Sequence, residues 1–204
     1  TTESRGLGDV YKRQGVKGIL NAFPEVNIHS PSAQIENTRF ILRDQDKVNS
    51  CLNTFKIMKT PGHTLDHIIY YDENNGVLFC GDTLFRLGCG RVFEGTLNEM
   101  FNSLKKINEL DKNTIIYCGH EYTLNNLNFL EKILKKEGDY LTISNKISDD
   151  LNTKEKSVPF LLEDEQRYNL FLNQNSTLGT MIKKELGFTD FELFVYLRKA
   201  KDSF

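Results

Sequence analysis

The sequence predicts an α/β protein in which a layered sheet domain is followed by a small helical module. Short β-rich runs at residues 54–60, 67–71, 76–80 and 114–118 alternate with amphipathic helical segments, as expected for a sheet covered by helices. Beyond about residue 157, three helical segments follow one another with no strand pattern between them. The length of 204 residues is sufficient for this arrangement.

The first half of the chain is predicted to form one short helix followed by several strands. Residues 15–23 carry apolar side chains at helical spacing, and strand candidates follow at residues 26–30 and 38–42. Residues 54–60 alternate like a half-buried strand. The Asp-Glu-Asn-Asn sequence at residues 72–75 predicts a hairpin between the next two strands.

The second half adds amphipathic helices around one more strand. Thr96 and Glu99 have the spacing of a capping box that starts a helix, and residues 124–134 predict another. The segment from Lys136 to about Ser157 is polar, and we interpret it as a linker or as exposed helix ends.

This organisation sets the predicted boundaries. We expect a partial sheet domain at residues 15–136 and a helical C-terminal module at residues 137–204. Residues 1–14 stand apart, because residues 9–14 spell DVYKRQ, the translation of a transposon-end oligonucleotide used in sequencing libraries. We interpret residues 1–14 as a non-native, adapter-derived segment, and a disordered native terminus is the alternative.

Composition and charge exclude several classes of protein. Hydrophobic residues make up 39% and charged residues 26%, the balance of a globular rather than a disordered chain. A net charge of -2 provides no positive field for nucleic acid or anionic lipid, so neither is an expected partner. No apolar run approaches the roughly 18 residues of a membrane span, and a cytoplasmic location is the expectation.

The cysteines have no metal or disulfide pattern. None of the four forms a C-x-x-C pair, and a chain of this length does not need disulfides to fold. We expect small, mostly buried side chains in or beside strands, at Cys51, Cys80, Cys89 and Cys118.

Three polar residues follow a glycine directly after an apolar strand: His63, Asp82 and His120. The glycine allows a sharp turn that presents the next side chain at the sheet edge. Imidazole nitrogen and carboxylate oxygen suit zinc or a similar divalent ion, and the two oxygens of Asp82 could bridge two ions. Spacing alone leaves a metal site and a structural role for the histidines equally open.

Four longer strings decide between these readings. They are TPGHTLDH at residues 60–67, CGDTLF at 80–85, GCGRVFEGT at 88–96 and CGHEYTLNN at 118–126. They resemble the metallo-β-lactamase superfamily and, within it, the hydroxyacylglutathione hydrolases, or glyoxalase II. The tail LRKAKDSF at 197–204 resembles the closing helix of that family. The resemblance implies a partial metallo-β-lactamase αββα sandwich and a metal-dependent thioester hydrolase.

The resemblance also implies roles for individual residues. His63 would bind one metal ion, His120 the second, and Asp82 would bridge them. Zinc is the expected metal, with iron and manganese as alternatives, and a metal-bound hydroxide rather than a side chain would be the nucleophile. The substrate would be S-(2-hydroxyacyl)glutathione, typically S-D-lactoylglutathione, which a monomeric enzyme would hydrolyse to a 2-hydroxy acid and glutathione.

Five further positions match the glutathione site of the family. Arg198 and Lys201 match basic positions that hold the glycine carboxylate of glutathione, a task that suits guanidinium and ammonium groups. Arg91, Phe93 and Tyr122 match other positions that line the site. Four of the five have a structural alternative: Arg198 and Lys201 could be the solvated face of a last helix, and the two aromatic rings could serve packing alone.

The T-H-x-H-x-D-H string of the family does not occur in this sequence. In the family it supplies four ligands, two to each ion, and lies just before a helix like the one at residues 15–23. Each ion would then keep only Asp82 and one histidine. We therefore expect weakened metal binding, little or no activity of this chain, and an uncovered sheet surface that favours aggregation.

Two other functions stay open at this point. One is another enzyme of the same superfamily, such as a persulfide dioxygenase or a lactonase, which a comparison of thioester and persulfide substrates would distinguish. The other is a truncated, non-catalytic glutathione-binding protein, which predicts affinity for glutathione without metal.

Overall fold

The computed structural model describes residues 15–33, 35, 37–50, 52–134 and 139–204. The segment at residues 1–14 and Cys51 lie outside the described residues. The chain separates into one compact unit that ends at Arg43 and a second that runs from Asp44 to Phe204. Every predicted site residue belongs to the second unit.

The first unit contains a short helix and two short strands in its described part. Helix α1 spans Gly15–Ala22, and strands β1 (His29–Ser30) and β2 (Phe40–Ile41) lie within the two predicted segments. The two strands pair in parallel. None of the α1 side chains is buried, so its apolar stripe contributes to no core.

The second unit is built on a six-stranded sheet with the order β10–β9–β6–β5–β4–β3. Neighbouring strands are antiparallel, except that β6 and β9 are parallel. Strands β4, β6 and β9 therefore run in the same direction, and their carboxyl ends lie at one edge of the sheet. The strands are β3 (Lys47–Ser50), β4 (Asn53–Lys59), β5 (Ile68–Asp72), β6 (Val77–Gly81), β9 (Ile115–Cys118) and β10 (Phe160–Leu161).

Side chains alternate between the two faces of this sheet. One face lies in the main apolar core and contributes Met58, Ile69, Tyr71, Leu78, Cys80 and Ile116. The opposite face is also apolar, but it is partly open to solvent: Phe79 and Tyr117 stack at 5.2 Å and are 41% and 39% exposed. Phe55 packs edge-on against Phe79 at 5.9 Å. We call the surface formed by Phe55, Phe79 and Tyr117 the outer aromatic face.

Six helices of the second unit are described, most of them packed on the core face. They are α2 (Leu97–Asn108), α3 (Thr123–Leu134), α4 (Asp139–Lys154), α5 (Leu162–Tyr168), α6 (Thr177–Leu186) and α7 (Asp190–Asp202). The capping box of α2 is confirmed, because Thr96 and Glu99 bond each other's backbone amides. Thr189 and Glu192 form a second capping box on α7 that was not predicted.

The linker interpretation of the segment after Lys136 is wrong. The described part of this segment is mostly the 16-residue helix α4, which buries Tyr140, Ile143 and Ile147 in the core. These apolar side chains recur every three or four residues, but polar residues surround them and hide the period. Helix α4 therefore packs in the same apolar core as the sheet, and the domain boundary after residue 136 stays a prediction.

Strand β3 and three strands of only two residues each also escaped the sequence analysis. Strand β10 joins the sheet beside β9, although it comes from the segment assigned to the helical module. Strands β7 (Leu84–Phe85) and β8 (Gly88–Cys89) form a small antiparallel hairpin directly after Asp82. Two residues per strand are too few to show an alternating pattern.

Within the described part of the chain, no helix is both long and apolar enough to cross a bilayer.

Candidate metal and thioester site

The three predicted ligands lie at one edge of the sheet because of its topology. Asp82 follows β6 and His120 follows β9, the two parallel neighbours. His63 follows β4, which runs in the same direction two strands away. The carboxyl ends of all three strands therefore bring these side chains together, as expected for a site built on strand ends.

Asp82 lies between the two histidines. Its Oδ2 is 3.3 Å from Nε2 of His63, and its Oδ1 is 3.6 Å from Nε2 of His120. The Asp82 side chain is only 8% exposed, so both contacts are largely shielded from water. Among the described residues no three ligand-type side chains enclose a single point. The arrangement instead forms two half-sites that share one carboxylate, each with one histidine.

Two glycines make room for the Asp82 carboxylate and for the His67 ring beside it. Gly81 has a φ of +51°, and a Cβ there would lie 2.9 Å from Nε2 of His67. A Cβ on Gly119 would lie 2.3 Å from Oδ1 of Asp82. The glycine before each ligand was predicted to allow a sharp turn, and at these two positions it also prevents a steric clash with the site.

His67 fixes the backbone behind Asp82. Its Nε2 accepts a hydrogen bond from the Asp82 amide at 3.2 Å. The proton of a neutral ring is then on Nδ1, which lies 3.0 Å from Oγ1 of Thr60 and 3.1 Å from Oγ1 of Thr83. His67 thus supports the site, and Thr60 and Thr83 are further supporting residues that the sequence analysis did not identify.

Aromatic rings flank both histidines. Phe93 packs against His63 with ring centroids 5.1 Å apart, and Tyr122 stacks on His120 at 4.9 Å. Both rings are 48% exposed, so each presents a face to solvent beside a predicted ligand. Phe85 contacts Tyr122 at 5.1 Å and was not identified from the sequence.

Two of the predicted basic residues, Arg198 in α7 and Arg91 just after β8, are paired with one carboxylate. Arg91 Nε and Arg198 Nη2 donate to the same Asp202 oxygen at 3.1 Å and 3.0 Å. Arg198 is 5% exposed and also donates to the Cys89 carbonyl at 3.0 Å. Asp202 is four residues after Arg198, a helical spacing that could have revealed this pair in the sequence.

Lys201 lies near the same cluster but is bonded differently. Its Nζ donates to the Asn125 carbonyl at 3.0 Å. Partial burial and then the nearby charge of Arg198 lower the pKa of Lys201 to about 8. The ammonium group is therefore mostly charged at neutral pH and loses its charge in mildly alkaline solution.

The described cysteines match the prediction for buried side chains. Cys80 and Cys89 are buried and Cys118 is half-buried. Burial raises the pKa of all three thiols, to about 11 for Cys118. They are therefore protonated at neutral pH, whereas a thiolate is the form that binds metal.

Sequence comparison with known proteins identifies the family. The chain aligns over 193 residues with the hydroxyacylglutathione hydrolase of Klebsiella pneumoniae at 40% identity, covering 93% of this chain and 76% of that protein. The chain belongs to the hydroxyacylglutathione hydrolase family. Hydroxyacylglutathione hydrolases of Citrobacter koseri and Salmonella paratyphi C match over the same lengths at 40% and 39% identity.

Family profiles divide the chain into two parts. Residues 27–120 match the metallo-beta-lactamase superfamily, and residues 121–204 match the hydroxyacylglutathione hydrolase C-terminus. The chain is thus a member of a hydrolase family, and its superfamily implies binding of divalent metal. The junction of the two profiles falls directly after His120.

Solved structures confirm the predicted fold class. ETHE1 from Myxococcus xanthus superposes with a TM-score of 0.54 at 21% identity, over 90% of this chain and 68% of that one. A metallo-beta-lactamase from Staphylococcus aureus gives a TM-score of 0.54 at 19% identity, over 92% of this chain and 52% of that one. At these identities the likeness shows the metallo-β-lactamase fold and nothing finer.

Proposed function

We propose that this chain contributes to a two-metal site that hydrolyses S-(2-hydroxyacyl)glutathione, with S-D-lactoylglutathione as the substrate. The observation that supports this most directly is the position of His63 and His120 at opposite oxygens of Asp82. A shared carboxylate with one imidazole on each side is suited to bridging two divalent ions.

The donor set fits zinc, and iron or manganese would suit the same atoms. A bound divalent ion lowers the pKa of a coordinated water, so that a hydroxide is available near neutral pH, and it polarises a carbonyl. The Nδ1 atom of His63 is 2.8 Å from the Arg91 carbonyl, which orients Nε2 toward Asp82. Two protein donors per ion are fewer than the three of an ordinary hydrolytic zinc site, so binding by these residues alone is expected to be weak.

The aromatic and basic side chains are positioned to hold the glutathione part of the substrate. Phe93 and Tyr122 lie beside the two histidines and present half-exposed rings. Arg91 is half-exposed, and a glutathione carboxylate would compete with Asp202 for its guanidinium group. Because glutathione leaves as a thiolate, whose acid has a pKa of roughly 8.5, no general acid from the protein is required.

A cobalt titration tests the metal site. We expect two weak equivalents of Co²⁺ per chain and the loss of both in Asp82→Asn, because one carboxylate serves both half-sites. Asp66→Asn is the matched control, since Asp66 is a nearby loop carboxylate that accepts a hydrogen bond from Thr64 at 3.1 Å. Unchanged Co²⁺ binding in Asp82→Asn would rule out the shared-carboxylate site.

Thiol release from S-D-lactoylglutathione tests the reaction. We expect slow turnover that depends on excess Zn²⁺ in the wild-type chain, a drop of about 100-fold or more in Asp82→Asn, and no oxidation of glutathione persulfide. Glutathione binding that persists unchanged in the presence of chelator, with no thioester hydrolysis at any Zn²⁺ concentration, would favour the non-catalytic alternative.

A further inference from the structure

Side chains from helical segments of the second unit bind the backbone of the turn at residues 85–88. Its Arg86 carbonyl accepts a hydrogen bond from Nδ2 of Asn126 at 2.9 Å. Its Leu87 amide donates to Oε2 of Glu165 at 2.8 Å. The carbonyls at both ends of the turn, those of Phe85 and Gly88, accept from Nδ2 of Asn169 at 3.3 Å and 3.0 Å.

Glu165 and Asn169 form one buried unit beneath this turn. They are 0% and 1% exposed, and Nδ2 of Asn169 also donates to Oε2 of Glu165 at 2.8 Å. Leu87 has a φ of +58°, a left-handed conformation that a leucine rarely adopts. The bond from its amide to Glu165 holds the backbone in this conformation, and such strain is commonly found beside functional sites.

The segment that leaves the turn leads directly to a predicted ligand. Gly90 approaches so closely that a Cβ on it would lie 1.9 Å from the Asp82 carbonyl oxygen. The next residue, Arg91, places its carbonyl 2.8 Å from Nδ1 of His63. Since a carbonyl only accepts, Nδ1 of His63 carries the proton and donates it. The position of the turn therefore determines how the His63 ring is oriented.

The segment that enters the turn leads to the other half-site. Phe85 contacts the rings of His120 at 6.1 Å and Tyr122 at 5.1 Å. Its carbonyl is one of the two that Asn169 binds. One buried pair of side chains thus fixes backbone that leads to both histidines.

We propose that Glu165 and Asn169 are positioning residues for the metal site: through the turn at residues 85–88 they set the orientation of His63 and the ring packing against His120. The metal part of this statement rests on the proposed function, whereas the orientation of His63 does not. Outer hydrogen-bond partners of metal ligands commonly change metal affinity by 10-fold to 100-fold when they are removed.

Two pairs of variants test this proposal in the full chain. Glu165→Gln keeps an acceptor for the Leu87 amide, whereas Glu165→Met has similar length and no acceptor. Asn169→Ala removes the amide beneath the turn. Gln174→Ala is its matched control, because the Gln174 amide is 4% exposed and also donates to two carbonyls, at 3.0 Å and 2.8 Å, but not to this turn.

The first measurement is the exchange rate of the His63 Nδ1 proton with solvent, followed by NMR without metal. We expect exchange at least about tenfold faster in Glu165→Met and Asn169→Ala, and rates within about twofold of wild type in Glu165→Gln and Gln174→Ala. If Asn169→Ala does not fold, the two Glu165 variants decide the question. Wild-type exchange in Glu165→Met, or equal acceleration in Glu165→Gln, would overturn the proposal.

The second measurement is the affinity for Co²⁺. We expect it to fall about tenfold in Glu165→Met and to be unchanged in Glu165→Gln. Unchanged affinity in Glu165→Met would overturn the link to the metal site. A wild-type chain that binds no Co²⁺ would count against the proposed function, while the proton-exchange comparison would still decide whether the pair positions His63.

Discussion

The buried carboxyl group of Glu165 makes the stability of this protein depend on pH in a predictable way. Burial is the largest influence on its pKa and raises it from 4.5 to about 7, against the opposing hydrogen bonds from Leu87 and Asn169 and the charge of Arg86. One of its oxygens, Oε1, has no hydrogen-bond partner within the described part of the chain. The ionised form is therefore poorly compensated in the folded state.

The direction of the effect follows from proton binding. The folded chain binds this proton more tightly than the unfolded chain, so the free energy of unfolding falls as the pH rises from about 4.5 to about 7. A difference of roughly 2.5 between the two pKa values corresponds to about 3 kcal/mol, most of it lost by about pH 8. Because the carboxyl group is fully buried, solvent does not screen this contribution to the free energy of unfolding.

Glu165→Gln removes the titration and keeps an acceptor for the Leu87 amide. We expect the variant to gain about 2 to 3 kcal/mol relative to wild type between about pH 5 and about pH 8. Urea unfolding followed by far-UV circular dichroism measures this, since the chain has no tryptophan to report by fluorescence. The control is Glu163→Gln on the same helix. Because the ion pair of Glu163 with Lys112 is exposed, this substitution should change the free energy of unfolding by less than about 1 kcal/mol. An offset between Glu165→Gln and wild type that is equal at both pH values would refute the reasoning.

Three further predictions concern the site and the sheet. Gly119→Ala should lower Co²⁺ affinity about 10-fold to 100-fold, because its Cβ would lie 2.3 Å from Oδ1 of Asp82; equal affinity in a competition titration would contradict this. Glutathione affinity should fall as the pH rises through about 8, where Lys201 loses its charge, and calorimetry should show that Lys201→Arg removes this decline. Phe79→Thr should reduce dye binding and aggregation by interrupting the outer aromatic face, with Co²⁺ affinity unchanged; equal light scattering from variant and wild type would count against it.

Much of the candidate site could be predicted because its residues are marked by local sequence. His63, Asp82 and His120 each follow a glycine at the end of an apolar strand, and the structure brings all three together. The rings of Phe93 and Tyr122 were also found, since they lie in strings that contain or closely follow the ligands, and they flank the histidines. Their roles in substrate binding stay a prediction.

The residues that were missed act across long sequence separations. Asn169 binds backbone atoms more than eighty positions earlier in the chain, and Asp202 joins Arg91 to Arg198 across more than a hundred. No spacing rule connects such positions, because the contact arises only when helices pack on the sheet. The short strands β7, β8 and β10 were missed for a related reason. A segment of two residues is recognisable as a strand only from its hydrogen bonds to a neighbouring strand, which the sequence does not show.

The sequence by itself determined the family, the strands that end in predicted ligands and the chemistry that such side chains can perform, because these depend on residue type and local order. Only the tertiary structure decided that one carboxylate faces both histidines, that Asp202 pairs two of the predicted basic residues, and that Glu165 is buried beneath the turn at residues 85–88. These features depend on distances and burial, which are set when segments remote in sequence pack together and exclude water.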